Sequence, residues 1–231
     1  INTMAGGGSL LSLPLLIFMG LPPSVANATN RVAIFSQNIF AIAGFRSKGV
    51  SEFRYSFILG ISALIGAVIG AKIAVDIKGE LFNKILAVIM VMVVLAIISG
   101  KFKSTGGKSE STKSGSQIIG MITFFFVGIY GGFVQAGVGF LIMGALSAIH
   151  GFSLVKINSM KVFIVFVYTI AALGVFIYEG KVNWHYGIIL AVGNSTGAWF
   201  ASRWSVEKGD KAIKVFLVIA VIALSVKLWL Y

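Results

Sequence analysis

The sequence contains no cysteine, and it has only two histidines and seven acidic residues. Without cysteine it can form no disulfide and offers no thiolate to a metal, and two histidines are too few for a metal cluster. We therefore expect neither a metal nor a cofactor. No carboxylate lies inside an apolar run, since residues such as Asp76 and Glu207 fall at the ends of runs. Cation and proton transporters usually carry such acids within the membrane, so this class is disfavoured.

Sequence motifs of several enzyme classes are also missing. The chain has no HExxH, no Walker A motif, no GxSxG in a strand-to-helix setting and no buried carboxylate pair. These motifs supply the general base, the phosphate cradle or the nucleophile in their enzymes. We therefore expect no catalytic residues and a protein that is not an enzyme.

Charged residues are scarce, at 11% of the chain, whereas hydrophobic residues make up 58%. A soluble domain would carry about 25% charged residues. The apolar runs are continuous and lack the two-residue alternation of a membrane barrel. We therefore predict an all-α integral membrane protein, embedded in the lipid bilayer and crossing the cell membrane several times, and a homodimer is left open. The net charge of +12 is expected in loops, with no nucleic-acid partner.

The apolar runs predict where the helices lie. Spans are expected at about residues 26–45, 55–71, 81–99, 162–178, 184–202 and 215–230. Two shorter runs cover residues 118–130 and 140–149. A charged turn is expected over residues 203–214.

Glycine and proline cluster in two apolar stretches. The first holds Gly6-Gly7-Gly8 and then Pro14, and the second holds Ala136-Gly137-Val138-Gly139. Both residue types disfavour the interior of a helix, and non-helical backbone persists in a membrane only where protein or a water-filled cavity surrounds it. The pattern predicts glycine-rich first helices that are broken or re-entrant, as in the binding sites of many transporters.

The two stretches belong to an internal repeat. A shift of 131 residues aligns the halves without a gap and pairs Asn27 with Asn158 and Tyr55 with Tyr186. This predicts two homologous four-helix repeats, residues 1–99 and 117–231, joined by a hydrophilic linker of residues 100–116. Repeat two has an apolar run ahead of its glycines that repeat one lacks, so we expect the first half-helix of repeat one to be truncated.

The distribution of lysine and arginine favours inverted repeats over parallel ones. If each glycine-rich segment crosses the membrane, the basic residues divide almost evenly between the two sides. If each segment is re-entrant, most of them collect on one side, together with the linker. The half-helices predicted beside the breaks are also too short to cross alone. We therefore expect re-entrant elements and a cytoplasmic linker.

Polar residues beside both breaks point to an anion. Backbone N–H groups freed by a break, and the amino end of the helix that follows, attract negative charge. The candidate substrate-binding residues are Gly7, Gly8, Ser9, Thr29, Asn30, Gln135, Gly137, Asn158 and Lys161. Arg31 is a second source of positive charge. The alternatives are that the glycines serve close packing, that the polar residues cap helices beginning near Ala26 and Asn158, and that both cations reach the interface.

Essentially the whole chain resembles the TauE/SafE family, also known as the 4-toluene sulfonate uptake permease family, and the more specific signature lies in the first half. The resemblance is carried by Gly6-Gly7-Gly8, Pro14, Gly20-Leu21-Pro22-Pro23 and Thr29-Asn30. In the second half Val138 replaces a glycine and no proline follows, so the two half-sites should be unequal.

The resemblance implies a secondary transporter of sulfur-containing oxyanions such as sulfite, sulfoacetate or other organosulfonates. The anion would bind at mid-membrane between the two breaks. A passive anion channel is the alternative function, and a structural membrane protein without a substrate is a third.

Overall fold

The computed structural model describes residues 2–50, 52–98, 114–150 and 152–229, so most of the predicted linker of residues 100–116 lies outside the described residues. Every regular element within these ranges is an α-helix. In chain order the helices are α1 (Asn2–Ala5), α2 (Ser9–Phe18), α3 (Pro23–Arg46), α4 (Phe53–Asp76), α5 (Gly79–Ile98), α6 (Ser114–Phe133), α7 (Val138–His150), α8 (Leu154–Tyr178) and α9 (Trp184–Trp229).

Helix α4 turns its small residues inward and its large residues outward. The isoleucines that recur every fourth residue, from Ile61 to Ile73, are 40% to 55% exposed, whereas Ala63 and Ala67 on the opposite face are fully buried. A contiguous apolar stripe of this size is unfavourable in water but suits a helix that faces lipid. Among the described residues, α4 and α8 are the two helices with the length and hydropathy of a membrane span. The predicted all-α membrane protein agrees with both observations.

Helices α4 and α6 lie in close contact because each has glycine where the other presents a backbone carbonyl. A Cβ on Gly70 would collide with the carbonyl oxygen of Ile129. One on Gly128 would collide with the carbonyl oxygen of Ala63. Small residues at four-residue spacing commonly create such approaches between membrane helices. Close packing is therefore the role of the glycines on this pair of helices.

The long helices pair across the predicted repeats. Helix α3 packs on α9, and α8 packs on α4. The 131-residue shift places α3 on α8 and α4 on the first part of α9, so these two contacts are related. Backbone conformations follow the same shift. Gly6 (φ 76°) corresponds to Gly137 (φ 73°), and Gly49 (φ 75°) corresponds to Gly180 (φ 62°).

Helix α9 is continuous from Trp184 to Trp229, so the turn predicted over residues 203–214 is wrong. In the first half the matching position is a real interruption, because Ile77 is extended (φ −69°, ψ 137°) between α4 and α5. Residues 203–214 contain no proline, and Arg203 and Glu207 have the i, i+4 spacing that supports a helix. With 46 residues the helix is about 69 Å long, roughly twice the thickness of the hydrocarbon core.

Three other helices begin at least three residues earlier than predicted. Helix α6 has 20 residues and is about 30 Å long, so it is long enough to cross the membrane alone, contrary to the prediction. Helix α7 has 13 residues and is too short to cross alone, as predicted. Helix α3 begins at Pro23 and α8 at Leu154, which places Asn30 and Asn158 inside helices. Helix α8 is capped instead by Ser153, whose Oγ accepts from the backbone N–H of Lys156 at 3.3 Å. Asn158 therefore does not cap α8.

Candidate functional site

Two helix interruptions lie side by side in the interior. The chain leaves helical conformation between Ala5 and Ser9, where α1 gives way to α2, and between Phe133 and Val138, where α6 gives way to α7. Each interruption contains a left-handed glycine, Gly6 or Gly137. Gln135 is also left-handed, with φ 67°, a conformation that residues other than glycine rarely adopt.

The backbones of the two interruptions touch at Gly6 and Gly139. A Cβ on Gly6 would lie 2.5 Å from the Cα of Gly139, and one on Gly139 would overlap the Cα of Gly6. Beside this contact, the ring of Phe140 packs over Gly7, where a Cβ would lie 3.0 Å from the ring. Glycine at positions 6 and 139 is thus required by the approach of one chain segment to the other.

Arg31 on α3 binds the carboxyl end of α6. The guanidinium donates from NH1 to Oε1 of Gln135 at 2.9 Å and from NH2 to the carbonyl oxygen of Gly132 at 2.6 Å. It also lies 5.0 Å from the centroid of the Phe176 ring. The last carbonyl groups of a helix have no partner within it and carry partial negative charge. Arg31 therefore caps a helix that belongs to the other predicted repeat, and Asn27 adds a bond to the carbonyl of Phe133 at 2.7 Å.

Lys161 on α8 binds the main-chain carbonyl groups of α1 in a similar way. Its ammonium group donates to the carbonyl oxygen of Thr3 at 2.7 Å and, at a longer 3.4 Å, to that of Asn2. A third bond goes to Oδ1 of Asn158 at 2.8 Å. Under the 131-residue shift Lys161 corresponds to Asn30, one residue away from Arg31. The two cations are thus placed in closely related ways, although the residue types differ between the halves.

Both cations are buried, and neither has an acidic partner among the described side chains. Arg31 is fully buried and Lys161 is 2% exposed, so neither side chain extends to an interface. The ion pairs between described side chains join Lys48 to Glu207, Lys84 to Glu80 and Lys156 to Glu52, and none involves these two cations. Burying a charge is costly unless it is paired or well hydrogen-bonded. Hydrogen bonds to neutral carbonyl and amide oxygens offset part of the free-energy cost of burial. They do not neutralise the positive charge of the two side chains.

A cavity of about 20 Å³ lies between the two interruptions and the helices α3 and α8. This volume holds about one water molecule. The amino ends of α2 and α7 border the cavity through Ser9 and Val138. Its lining consists of Asn2, Gly6, Ser9, Gln37, Asn38, Gln135, Val138, Gly139, Lys161, Val162 and Val165. The lining therefore combines one cation with neutral polar groups, and no acidic side chain takes part in it.

Three of the predicted binding residues line this cavity, namely Ser9, Gln135 and Lys161. Gly137 belongs to the second interruption, and Asn158 orients Lys161. The structure does not place these two residues in the cavity wall.

The other predicted residues support the first interruption or lie elsewhere. Gly7 packs under Phe140, and the N–H of Gly8 donates to Oδ1 of Asn2 at 3.2 Å. Asn30 donates to Oγ of Ser9 at 3.2 Å. Thr29 faces a different part of the protein, because its Oγ1 accepts from the backbone N–H of Asn183 at 3.0 Å.

Three further polar residues line the cavity and were not among the predicted ones, namely Asn2, Gln37 and Asn38. Asn2 donates from Nδ2 to Oε1 of Gln37 at 3.2 Å, whereas Nδ2 of Asn38 is buried without a hydrogen bond. Helical spacing could have found the two residues on α3. Gln37 and Asn38 lie seven residues after Asn30 and Arg31, and a spacing of seven keeps residues on one helix face.

Comparisons with known proteins agree over almost the whole chain. A family model described as Sulfite exporter TauE/SafE matches residues 1–228. The chain is 27% identical to a probable membrane transporter protein, ORF9, of Sinorhizobium sp., over 99% of this chain and 87% of that protein. It is 24% identical to a probable membrane transporter protein of Haemophilus influenzae, over 99% and 89%. It is 27% identical to the probable membrane transporter protein YfcA of Escherichia coli K12, over 99% and 84%. No solved structure matches the chain.

Proposed function

Because this chain belongs to the TauE/SafE sulfite exporter family of membrane transporters, we propose that it carries sulfur-containing oxyanions across the cell membrane as a secondary transporter. The substrate class is that of sulfite, sulfoacetate and other organosulfonates. The protein would cross the membrane several times and bind the anion at mid-membrane, between the two helix interruptions.

The observation that carries this proposal is the pair of buried cations. Arg31 and Lys161 sit beside the two interruptions, and neither forms an ion pair with a described carboxylate. A bound oxyanion would compensate this charge and would accept hydrogen bonds from several donors at once. Charge-assisted bonds of this kind are about twice as strong as bonds between neutral groups.

The second support is the relation between the two halves. Each buried cation caps a helix of the opposite half, since Arg31 binds Gly132 and Lys161 binds Thr3. The proposed repeats are residues 1–99 and 117–231, joined by the linker of residues 100–116. An inverted arrangement is favoured by the distribution of lysine and arginine. Interrupted helices that meet at the interface of two repeats form the substrate site in many secondary transporters.

Within the proposed site the predicted residues divide into two groups. Ser9, Gln135 and Lys161 would face the anion because they line the cavity. The remaining predicted residues would hold the interruptions in place, with Asn158 acting through Lys161. Those remaining residues are Gly7, Gly8, Thr29, Asn30, Gly137 and Asn158.

The small size of the cavity favours a carrier over a channel. A volume of about 20 Å³ is too small for a sulfur oxyanion and admits about one water molecule. A carrier passes through states in which its site is contracted, whereas a passive channel needs a continuous path. The helices would therefore have to move apart to load the substrate.

Flux into liposomes tests the proposal. The purified protein is reconstituted, and uptake of radiolabelled sulfite and sulfoacetate is measured against concentration and against an imposed gradient. Saturable uptake that follows the gradient is expected. Ohmic conductance would favour the channel, and no flux of any sulfur oxyanion would refute the proposal.

A matched pair of lysine variants ties the flux to the site. Lys161→Met removes the buried charge, whereas Lys84→Met removes an exposed charge that is paired with Glu80. We expect Lys161→Met to lose most of the uptake and Lys84→Met to retain it.

A further inference from the structure

We propose that Lys161 and Asn38 bind the oxyanion head of the substrate. In doing so the anion replaces the main-chain carbonyl groups of α1 as the hydrogen-bond acceptor of Lys161. This inference rests on the proposed oxyanion transport and names how that same site is built. It starts from the cavity between the interruptions, which both side chains line.

Lys161 has no hydrogen-bonding capacity to spare. An ammonium group has three donors, and four acceptors surround that of Lys161. They are the carbonyl oxygen of Thr3, Oδ1 of Asn158, the carbonyl oxygen of Asn2 at 3.4 Å and Sδ of Met143 at 3.9 Å. A substrate can bind this nitrogen only by replacing one of these acceptors. An oxyanion oxygen is the stronger acceptor because the bond then joins two charged groups. The long contacts with Asn2 and Met143 are the first that the exchange would break.

Asn38 supplies the donor that lacks a partner. Its side chain is 2% exposed, and its Nδ2 makes no hydrogen bond. An unpaired buried donor is costly, so its presence beside a cavity calls for an explanation. Asn30, about two turns earlier on the same helix, differs because Ser9 and Ser12 use both ends of its amide. A bound oxyanion would give Asn38 the acceptor that it lacks.

The amino ends of two helices reinforce this choice of ligand. Ser9 opens α2 and Val138 opens α7, and both residues line the cavity. The amino end of a helix carries partial positive charge, which attracts an anion even though the N–H groups of Leu10 and Phe140 already bond to the carbonyl oxygens of Gly7 and Gly137. An ammonium group, an amide donor and two helix amino ends therefore surround one space. Together they suit the three oxygens of sulfite or of a sulfonate group.

Releasing α1 would also create room. Asn2 reaches across the cavity from α1, where its side chain bonds to Gln37 and to the N–H of Gly8. When the anion replaces the carbonyl groups of Asn2 and Thr3 as acceptors of the Lys161 ammonium group, the hydrogen bonds that join α1 to Lys161 on α8 are broken. The cavity would then open from about 20 Å³ to a volume that admits the ligand.

Binding measurements on the purified full chain test the role of Asn38. Asn38→Leu removes the amide at similar volume, and its affinity for sulfite and sulfoacetate is measured by calorimetry under nitrogen. We expect affinity about tenfold weaker, as the loss of one hydrogen bond to a charged group predicts. The matched control is Thr169→Val, because Thr169 is fully buried with an unpaired hydroxyl and lies outside the cavity wall. If the leucine variant does not fold, Asn38→Asp keeps the shape and should weaken binding at least as much.

A single cysteine reports on the movement of α1. The chain has no cysteine, and Thr3 is only 3% exposed, so Thr3→Cys gives one buried thiol while keeping the main-chain carbonyl. Sulfoacetate is used as the ligand because sulfite reacts with maleimides. We expect sulfoacetate to speed the labelling of this thiol by N-ethylmaleimide severalfold, and to leave a cysteine at Thr169 unchanged.

The outcomes separate this inference from the proposed function. If the unsubstituted protein binds and transports sulfoacetate while Asn38→Leu binds it equally well, the assignment of Asn38 is overturned and transport stands. Unchanged labelling of Thr3→Cys in a protein that binds sulfoacetate would overturn the release of α1. If the unsubstituted protein neither binds nor transports any sulfur oxyanion, both proposals fall together.

Discussion

Gly6 and Gly139 hold the two helix interruptions in backbone contact, and neither position has space for a Cβ. The two residues differ in conformation, because Gly6 is left-handed whereas Gly139 lies within α7. A substitution at Gly139 therefore adds a steric conflict without adding backbone strain.

Gly139→Ala should lower thermal stability and impair transport. The new methyl group would strike the backbone of Gly6, and overpacking of this kind costs about 1–3 kcal/mol. Tryptophan fluorescence on heating measures the change in stability. The matched control is Gly174→Ala, because a Cβ on Gly174 in α8 meets nothing within 4 Å. Equal melting temperatures for the two variants would contradict the contact.

Gly70→Ala should weaken the packing of α6 on α4. The methyl group would collide with the carbonyl oxygen of Ile129, so the helices would have to separate. The neighbouring Ile69→Ala alters a side chain that is 42% exposed on the lipid-facing stripe, and it should change stability little. Melting temperatures in a single detergent compare the two variants. A larger loss for Ile69→Ala would mean that the stripe is an interface rather than a lipid-facing surface.

Arg31→Lys should destabilise the protein although it keeps the charge. The guanidinium fork reaches Gln135 and Gly132 at the same time, and a single ammonium nitrogen cannot reproduce that geometry. A loss of about 1–3 kcal/mol is expected from the hydrogen bonds left unmade. Arg46→Lys, at the exposed end of α3, provides the control. Full stability of Arg31→Lys would indicate that charge alone matters at this position.

A cysteine at Ser109 should be labelled only after the inner face of the membrane is opened. The linker carries four lysines against one glutamate, and such loops stay in the cytoplasm. Glu179→Cys, in the turn after α8, should react in intact cells if the repeats are inverted. An impermeant maleimide reads both positions because the chain has no other thiol. Labelling of both cysteines from the same side would reject the inverted arrangement.

The helices of this protein could largely be predicted from sequence, because long apolar runs in a bilayer have few alternatives to helix. Gly6 and Gly137 adopt left-handed backbone, which glycine favours because it has no Cβ. The continuity of α9 was not found. A charged segment predicts a turn only when its backbone also has a reason to leave the helix, and residues 203–214 lack the proline that would provide one.

Part of the candidate site was hidden for a different reason. Ser9 and Gln135 lie next to the glycine clusters, and Lys161 ends the polar group of residues 158–161 that the 131-residue shift aligns with residues 27–30, so the sequence pattern pointed to all three. Asn38 lies well away from both clusters, and only the packing of α3 against α8 brings it to the cavity. The opposite error occurred at Thr29, which is close to Asn30 in sequence but points toward Asn183. Neighbouring residues on a helix point in different directions, so closeness in sequence does not predict that two side chains line the same site.

The hydrogen bond from Lys161 to the carbonyl oxygen of Thr3 has a consequence for biosynthesis. The two residues are 158 positions apart, so the ribosome adds that much chain before the carbonyl of Thr3 can find its partner. At about 5–20 residues per second this takes roughly 8 to 30 seconds. Until then the first interruption waits in the insertion machinery or against lipid while the carbonyl of Thr3 lacks this partner. The segment of α1 and α2 is therefore made well before α8, and its packing is completed only after α8 has been added.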